Sequence, residues 1–204
     1  TNFSILEWLG KPKEFVKKAK ELGMKWLAIT DSGNLYGFFE FYKNCKENGI
    51  NPILWLEASI SRKWIGNKDK DNEYYEIVLL AKNKDWFRNL IQIATTSRLD
   101  WFYYKPRIDF ELLEKYKDNI IALSGSYLWE IAQHIITGKS EDYIVSRIEY
   151  YQELFGKDDF YLEIQEHPDR PSQSKVNEYI LTLSKKYNYK IVGTNDVHYI
   201  SDHN

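Results

Sequence analysis

The tripeptide Asp196-Val197-His198 stands just after the apolar run Lys190-Ile191-Val192-Gly193-Thr194, where a buried strand would end. On an extended segment residues i and i+2 share a face, so this carboxylate and imidazole converge and could share a metal ion. Other apolar runs are followed by polar residues of the same kind. Asp31 and Ser32 come after Trp26-Leu27-Ala28-Ile29-Thr30, Glu57 closes Pro52 to Leu56, Gly125 and Ser126 follow Asn119 to Leu123, and His167 lies just beyond Ile164. Gathered on one rim, such donors would form a metal and phosphate site. Taken singly, each has an ordinary structural explanation: Asp31 and Ser32 as helix caps, Glu57 as a strand-end carboxylate in water, His167 before Pro168 as a turn residue. No phosphate-binding glycine loop and no Gly-x-Ser-x-Gly elbow occurs, which argues against P-loop nucleotide hydrolysis and serine hydrolase chemistry.

The elements that would position these residues alternate. Helical spacing and glycine stops predict helices over Lys13 to Leu22 and Tyr36 to Asn48, with further helices from Asp85 to Leu99, Leu128 to Thr137, Glu141 to Phe155 and Ser172 to Tyr187. Between them lie the short apolar runs 26–30, 52–56, 77–81, 119–123, 160–164 and 190–194, continuous in hydrophobicity as strands covered on both faces should be. A βα series of this kind predicts a parallel barrel or an open doubly wound sheet whose strand ends form one functional rim.

Composition narrows the function. With 204 residues the chain can bury a sizeable core, and its net charge of -2 gives no global basic field for free-standing nucleic-acid binding. Any contact with DNA would have to be local. The segment Phe102-Tyr103-Tyr104-Lys105-Pro106-Arg107 interleaves aromatics with two cations, which makes Lys105 and Arg107 candidate DNA or rim contacts. The single cysteine, Cys45, excludes an internal disulfide framework, no apolar stretch is long enough to cross a bilayer, and Thr1 to Gly10 lacks a signal-peptide pattern. These features predict a cytoplasmic protein without membrane partners.

Several segments, in order, resemble the PHP (polymerase and histidinol phosphatase) domain at the N-terminus of the bacterial DNA polymerase III alpha subunit. They are Thr30-Asp31-Ser32-Gly33-Asn34-Leu35-Tyr36-Gly37, Leu79-Leu80-Ala81-Lys82-Asn83, Phe102 to Asp109, Ala122-Leu123-Ser124-Gly125 and Thr194 to Tyr199. The resemblance implies an α/β fold, a distorted (β/α)7 TIM-like barrel of the PHP type, with residues 1–204 as a single domain. In intact members the rim holds three ions of zinc, manganese or iron and hydrolyses phosphoesters. It further implies that the opening His-x-His strand would fall before Thr1, so that the chain reads as a fragment of a longer polymerase whose barrel lacks its first strand and shows an open edge.

Carried over residue by residue, the resemblance implies a damaged metal site. Its remnant ligands are Glu7, Glu57, Glu76, Asp196 and His198; Ser32 and Ser126 stand where the family has histidine and cysteine, and Asp31 and His167 fall just behind the site. Mainly oxygen donors are left, which suit manganese or magnesium weakly and zinc poorly, or no metal at all. The implied role is a scaffold in DNA replication, with the rest of the alpha subunit, the proofreading exonuclease subunit and, through the whole polymerase, DNA as partners. The alternative is an active metal-dependent phosphoesterase, either a 3′-5′ proofreading exonuclease or a small-molecule phosphatase.

Overall fold

The computed structural model of the chain describes residues 1, 3, 10–62, 65–66, 74–83, 87–125, 127–167, 170–195, 197 and 200. The first helix, α1 (Pro12–Glu21), begins with proline at its first turn, where a missing N–H costs nothing. It leads to β1 (Trp26–Ser32), α2 (Phe38–Asn48), β2 (Asn51–Ser61) and β3 (Tyr74–Ala81). Then come α3 (Phe87–Leu99), β4 (Arg107–Ile108), α4 (Phe110–Tyr116), β5 (Ile120–Leu123), α5 (Glu130–Ile136), α6 (Glu141–Phe155), β6 (Phe160–Gln165), α7 (Pro171–Tyr187) and β7 (Ile191–Thr194). Gly49 ends α2 in the left-handed conformation, φ 72°, which relieves the helix of a Cβ clash at its turn into β2.

The strands lie in the order β1-β2-β3-β5-β6-β7, with β4 pairing the far end of β2 beyond the stretch that β1 occupies. All neighbouring pairs are parallel except those of β3, which runs antiparallel to both β2 and β5. The all-parallel sheet expected from the alternating pattern is thus corrected at one strand. Residues 62–73 join β2 to β3 with no helix among the described residues, and antiparallel neighbours need no crossover helix. Among the described residues β1 and β7 each have one strand neighbour and do not pair with each other. The result is a curled, incomplete α/β barrel.

Alternation along the strands divides the sheet into two faces. On the outer face Leu56, Ile60, Ile77, Leu79, Phe160 and Leu162 pack against helices through Leu90, Ile93, Trp129, Ile148 and Tyr151. Each fully buried side chain of this size contributes roughly 1.5–3 kcal/mol relative to exposure. A smaller core of Val16, Ala19, Ile29, Phe41, Cys45 and Ile50 fixes α1 and α2 to β1. The inner, concave face changes character along its length: Ala28, Ile53, Trp55, Leu80, Ile121 and Val192 line an apolar cavity of 640 Å³, while polar residues lie toward the other end.

Candidate functional site

The polar end of the concave face is built by strand register. Ser32 on β1 sits opposite Glu57 on β2, and Ser59, two residues further along β2, sits opposite Glu76 on β3. Side chains at i and i+2 on a strand share a face, so Glu57, Ser59 and Glu76 open into one cleft together with Ser32. This cleft has a volume of 480 Å³, and its wall carries Arg98, Phe102, Tyr104 and Lys105. Ser32 Oγ donates to Glu57 Oε2 at 2.7 Å. Arg98 reaches over the rings of Tyr36 and Phe102, 5.5 and 5.9 Å from their centroids, so the cation sits among aromatics at the mouth. Lys105 Nζ lies 3.6 Å from the Tyr74 ring centroid, and Tyr104 takes the left-handed conformation, φ 60°, at the tip of a narrow turn bridged by Tyr103 and Lys105.

The residues singled out by sequence divide accordingly. Glu57, Glu76 and Ser32 come together, and Lys105 joins them at the cleft wall. Asp31 lies on the opposite face of β1 from Ser32, 2% exposed, where its carboxylate accepts from the Thr1 hydroxyl. His167 stands beyond the end of β6 with Nε2 3.0 Å from Gln165 Oε1. Arg107 is 3% exposed, and its guanidinium donates to the carbonyls of Trp101 and Ile65, which ties the loop together from within. Burial lowers its pKa from the ordinary arginine value, the nearby Tyr103 opposing this. Glu7, Ser126, Asp196 and His198 lie outside the described residues.

Two groups escaped the sequence reading. Glu163, in the middle of β6, is buried on the concave face and accepts from Gln165 and Thr194. Its signal was a carboxylate inside an apolar strand, in phase with Gln165. Behind the sheet, Glu130 accepts from Arg147, from the Tyr151 hydroxyl and lies 3.3 Å from His134 Nε2. That group ties α5 to α6 and takes no part in the cleft.

Among the described residues no group of three or more His, Cys, Asp or Glu stands where it could hold a metal ion. The described oxygen groups lining the cleft are the carboxylates of Glu57 and Glu76, the hydroxyls of Ser32, Ser59, Tyr36 and Tyr104 and the amide of Asn34, with no imidazole among them. This set does not by itself fit a multinuclear metal centre. What it can do is present acidic oxygens beneath a wall of cations and aromatic rings.

The PHP domain family model matches residues 1–167. The DNA polymerase III subunit alpha of Aquifex aeolicus is 37% identical over 215 aligned positions, covering 98% of this chain and 18% of that protein. The same subunit of Thermus aquaticus is 37% identical, with 98% of this chain and 17% of that protein covered. The chain therefore spans less than a fifth of the length of these curated relatives. In fold it is similar to the crystal structure of a candidate metal-dependent phosphoesterase from Bifidobacterium adolescentis, at a TM-score of 0.57 and 15% identity over 100% of this chain and 87% of that one. It is also similar to an amidohydrolase of Chromobacterium violaceum with bound sulfate and no metal, at a TM-score of 0.58 and 13% identity over 94% of this chain and 84% of the other. Matched over most of its length by the family model and over nearly all of it by the polymerase subunits, the chain belongs to the PHP domain family.

Proposed function

We propose that the chain is the N-terminal PHP domain of a bacterial replicative DNA polymerase III alpha subunit and works there chiefly as a scaffold, in the cytoplasm. In this reading residues 1–204 form one domain of a longer chain. It braces the polymerase core and offers surface to the proofreading exonuclease subunit, while DNA is engaged by the whole polymerase. The observation that carries the reduced metal site is the Ser32 side chain, its Oγ 2.7 Å from Glu57 Oε2: a neutral hydroxyl, a weak ligand for a transition metal, occupies the corner beside the carboxylate. Manganese, zinc or magnesium would have to be held by Glu57 and Glu76 with Glu7, Asp196 and His198.

A second reading, a working metal-dependent phosphoesterase, is favoured by two observations. Glu57 and Glu76 open into the same cleft, and a structural neighbour carries a phosphoesterase name. Metal content by plasma mass spectrometry after equilibration with manganese and zinc separates the two, on the wild-type chain and on an Asp196→Asn, His198→Ala variant. The scaffold reading expects no stoichiometric metal in either. Two or more ions per chain that vanish in the variant would establish the phosphoesterase reading instead.

A further inference from the structure

Glu163 is 2% exposed at the centre of β6, and the carboxylates of the cleft do not account for it. Its Oε1 accepts from Gln165 Nε2 at 3.0 Å and from the hydroxyl of Thr194, whose Oγ1 in turn lies 3.1 Å from the same Gln165 nitrogen. Gln165 and Thr194 are register partners across β6 and β7, so the three side chains close a small ring on the concave face. The proton order in that ring follows from the donor count. Thr194 has a single hydroxyl proton and donates it to Glu163, so towards Gln165 it can only accept. Both contacts at that end of the Gln165 amide therefore require its NH2 group.

The other end of the amide follows. Gln165 Oε1 is 3.0 Å from His167 Nε2, and an amide oxygen can only accept. Nε2 must carry the imidazole proton, and in the neutral ring Nδ1 then keeps the lone pair. The backbone holds the relay in place: Asn177 Nδ2 donates to the Gln165 carbonyl at 2.6 Å, and the Arg170 N–H to the His167 carbonyl at 2.9 Å.

We infer that Glu163 is a positioning residue which, acting through Gln165, fixes His167 as the Nε2–H tautomer and leaves Nδ1 as its lone-pair nitrogen. Nδ1 is thereby kept ready to accept a proton or a cation at the end of the barrel where β6 and β7 finish. The inference rests on hydrogen-bond chemistry and stands whether the domain is scaffold or phosphoesterase.

The test is the nitrogen NMR spectrum of the chain labelled with ¹⁵N-histidine, with the His167 signals assigned by their loss in His167→Asn. The wild type is expected to show a pyridine-type Nδ1 and a pyrrole-type Nε2. Glu163→Gln, whose amide oxygen can still accept both bonds, should keep that pattern. Glu163→Met and Gln165→Met should draw the two shifts together as the ring loses its fixed partner. A pyrrole-type Nδ1 in the wild type would overturn the tautomer, and unchanged shifts in either methionine variant, folded by its dispersed amide spectrum, would overturn the positioning role. Should Glu163→Met fail to fold, Gln165→Met decides the second point.

Discussion

Ser32 and Glu57 face each other as register partners across β1 and β2, and the serine hydroxyl donates to Glu57 Oε2 at 2.7 Å. A typical intramolecular hydrogen bond contributes a net of about 0.5–1.5 kcal/mol. Ser32→Ala should lower the stability of the chain by that amount in urea unfolding, with an unchanged m-value. An unmoved midpoint would mean that the bond does not contribute to the fold.

The same pair offers a gain-of-function experiment. Ser32→His would place an imidazole beside Glu57 and convert an oxygen-only corner into a mixed nitrogen and oxygen site, which suits zinc far better. Even outer partners of metal ligands change affinity by about 10–100-fold, so a new direct ligand should raise zinc affinity at least roughly tenfold in chelator competition. Equal affinity in wild type and variant would show that this position does not face a latent metal site.

The cleft wall makes a different prediction. Tyr104 is 75% exposed and Phe102 50%, and Lys105 lines the same wall, an arrangement suited to bases that stack and phosphates that pair. Lys105→Ala should weaken the parent polymerase's binding of a single-stranded oligonucleotide and reduce its salt slope by about 0.7. Tyr104→Ala should cost about 1–3 kcal/mol of binding if one base stacks there. Fluorescence anisotropy at several salt concentrations measures both. Unchanged slope and affinity would remove the wall from the DNA path, whereas Arg107→Ala should act on stability through its buried carbonyl contacts.

Much of this architecture was legible in the sequence because period and punctuation carried it: the long helices and most strands show apolar faces ended by glycine or polar residues. The direction of β3 was not, since a continuous apolar run reads alike both ways. The two-residue β4 and the seven-residue α4 are too short for periodicity, although Asp109, which accepts from the Leu112 N–H at 2.8 Å, is an N-cap signal that could have marked the helix. Glu57 was visible as a carboxylate closing the apolar run 52–56, although β2 continues past it to Ser61, and Glu76 needed the family resemblance. The Glu163 ring depends on the β6 and β7 register, and no local pattern encodes that.

The Glu130 group predicts a large stability effect away from the cleft. Arg147 donates through Nε and Nη2 at 2.7 and 3.2 Å, and the fully buried Tyr151 donates its hydroxyl to the same carboxylate. Removing the buried carboxylate leaves the partly exposed Arg147 and the buried Tyr151 hydroxyl without their acceptor, at a cost of about 1–3 kcal/mol. Glu130→Ala should fall in that range by denaturant unfolding. A loss no larger than that of an exposed salt bridge would show that Arg147 and Tyr151 re-pair readily.

The remaining member of that group sets a pH dependence. His134 is 6% exposed, with Nε2 3.3 Å from Glu130 Oε1 and the rings of Tyr75 and Tyr143 edge-on to it. Burial lowers its pKa below the ordinary 6.5; attraction to Glu130 opposes this without overcoming it, and the cations of Arg147 and Lys139 add to the lowering. Between the folded and unfolded values the unfolded chain binds more protons at this residue. The contribution of neutral His134 is thus fully present above about pH 6.5 and is lost as the pH falls toward the lowered folded value. The urea midpoint of the wild type should therefore drop between pH 7 and pH 5, and His134→Gln, which cannot charge, should flatten that drop. If both proteins lose stability equally over this interval, other groups carry the acid sensitivity and the attraction of Glu130 fully compensates for the burial of the ring.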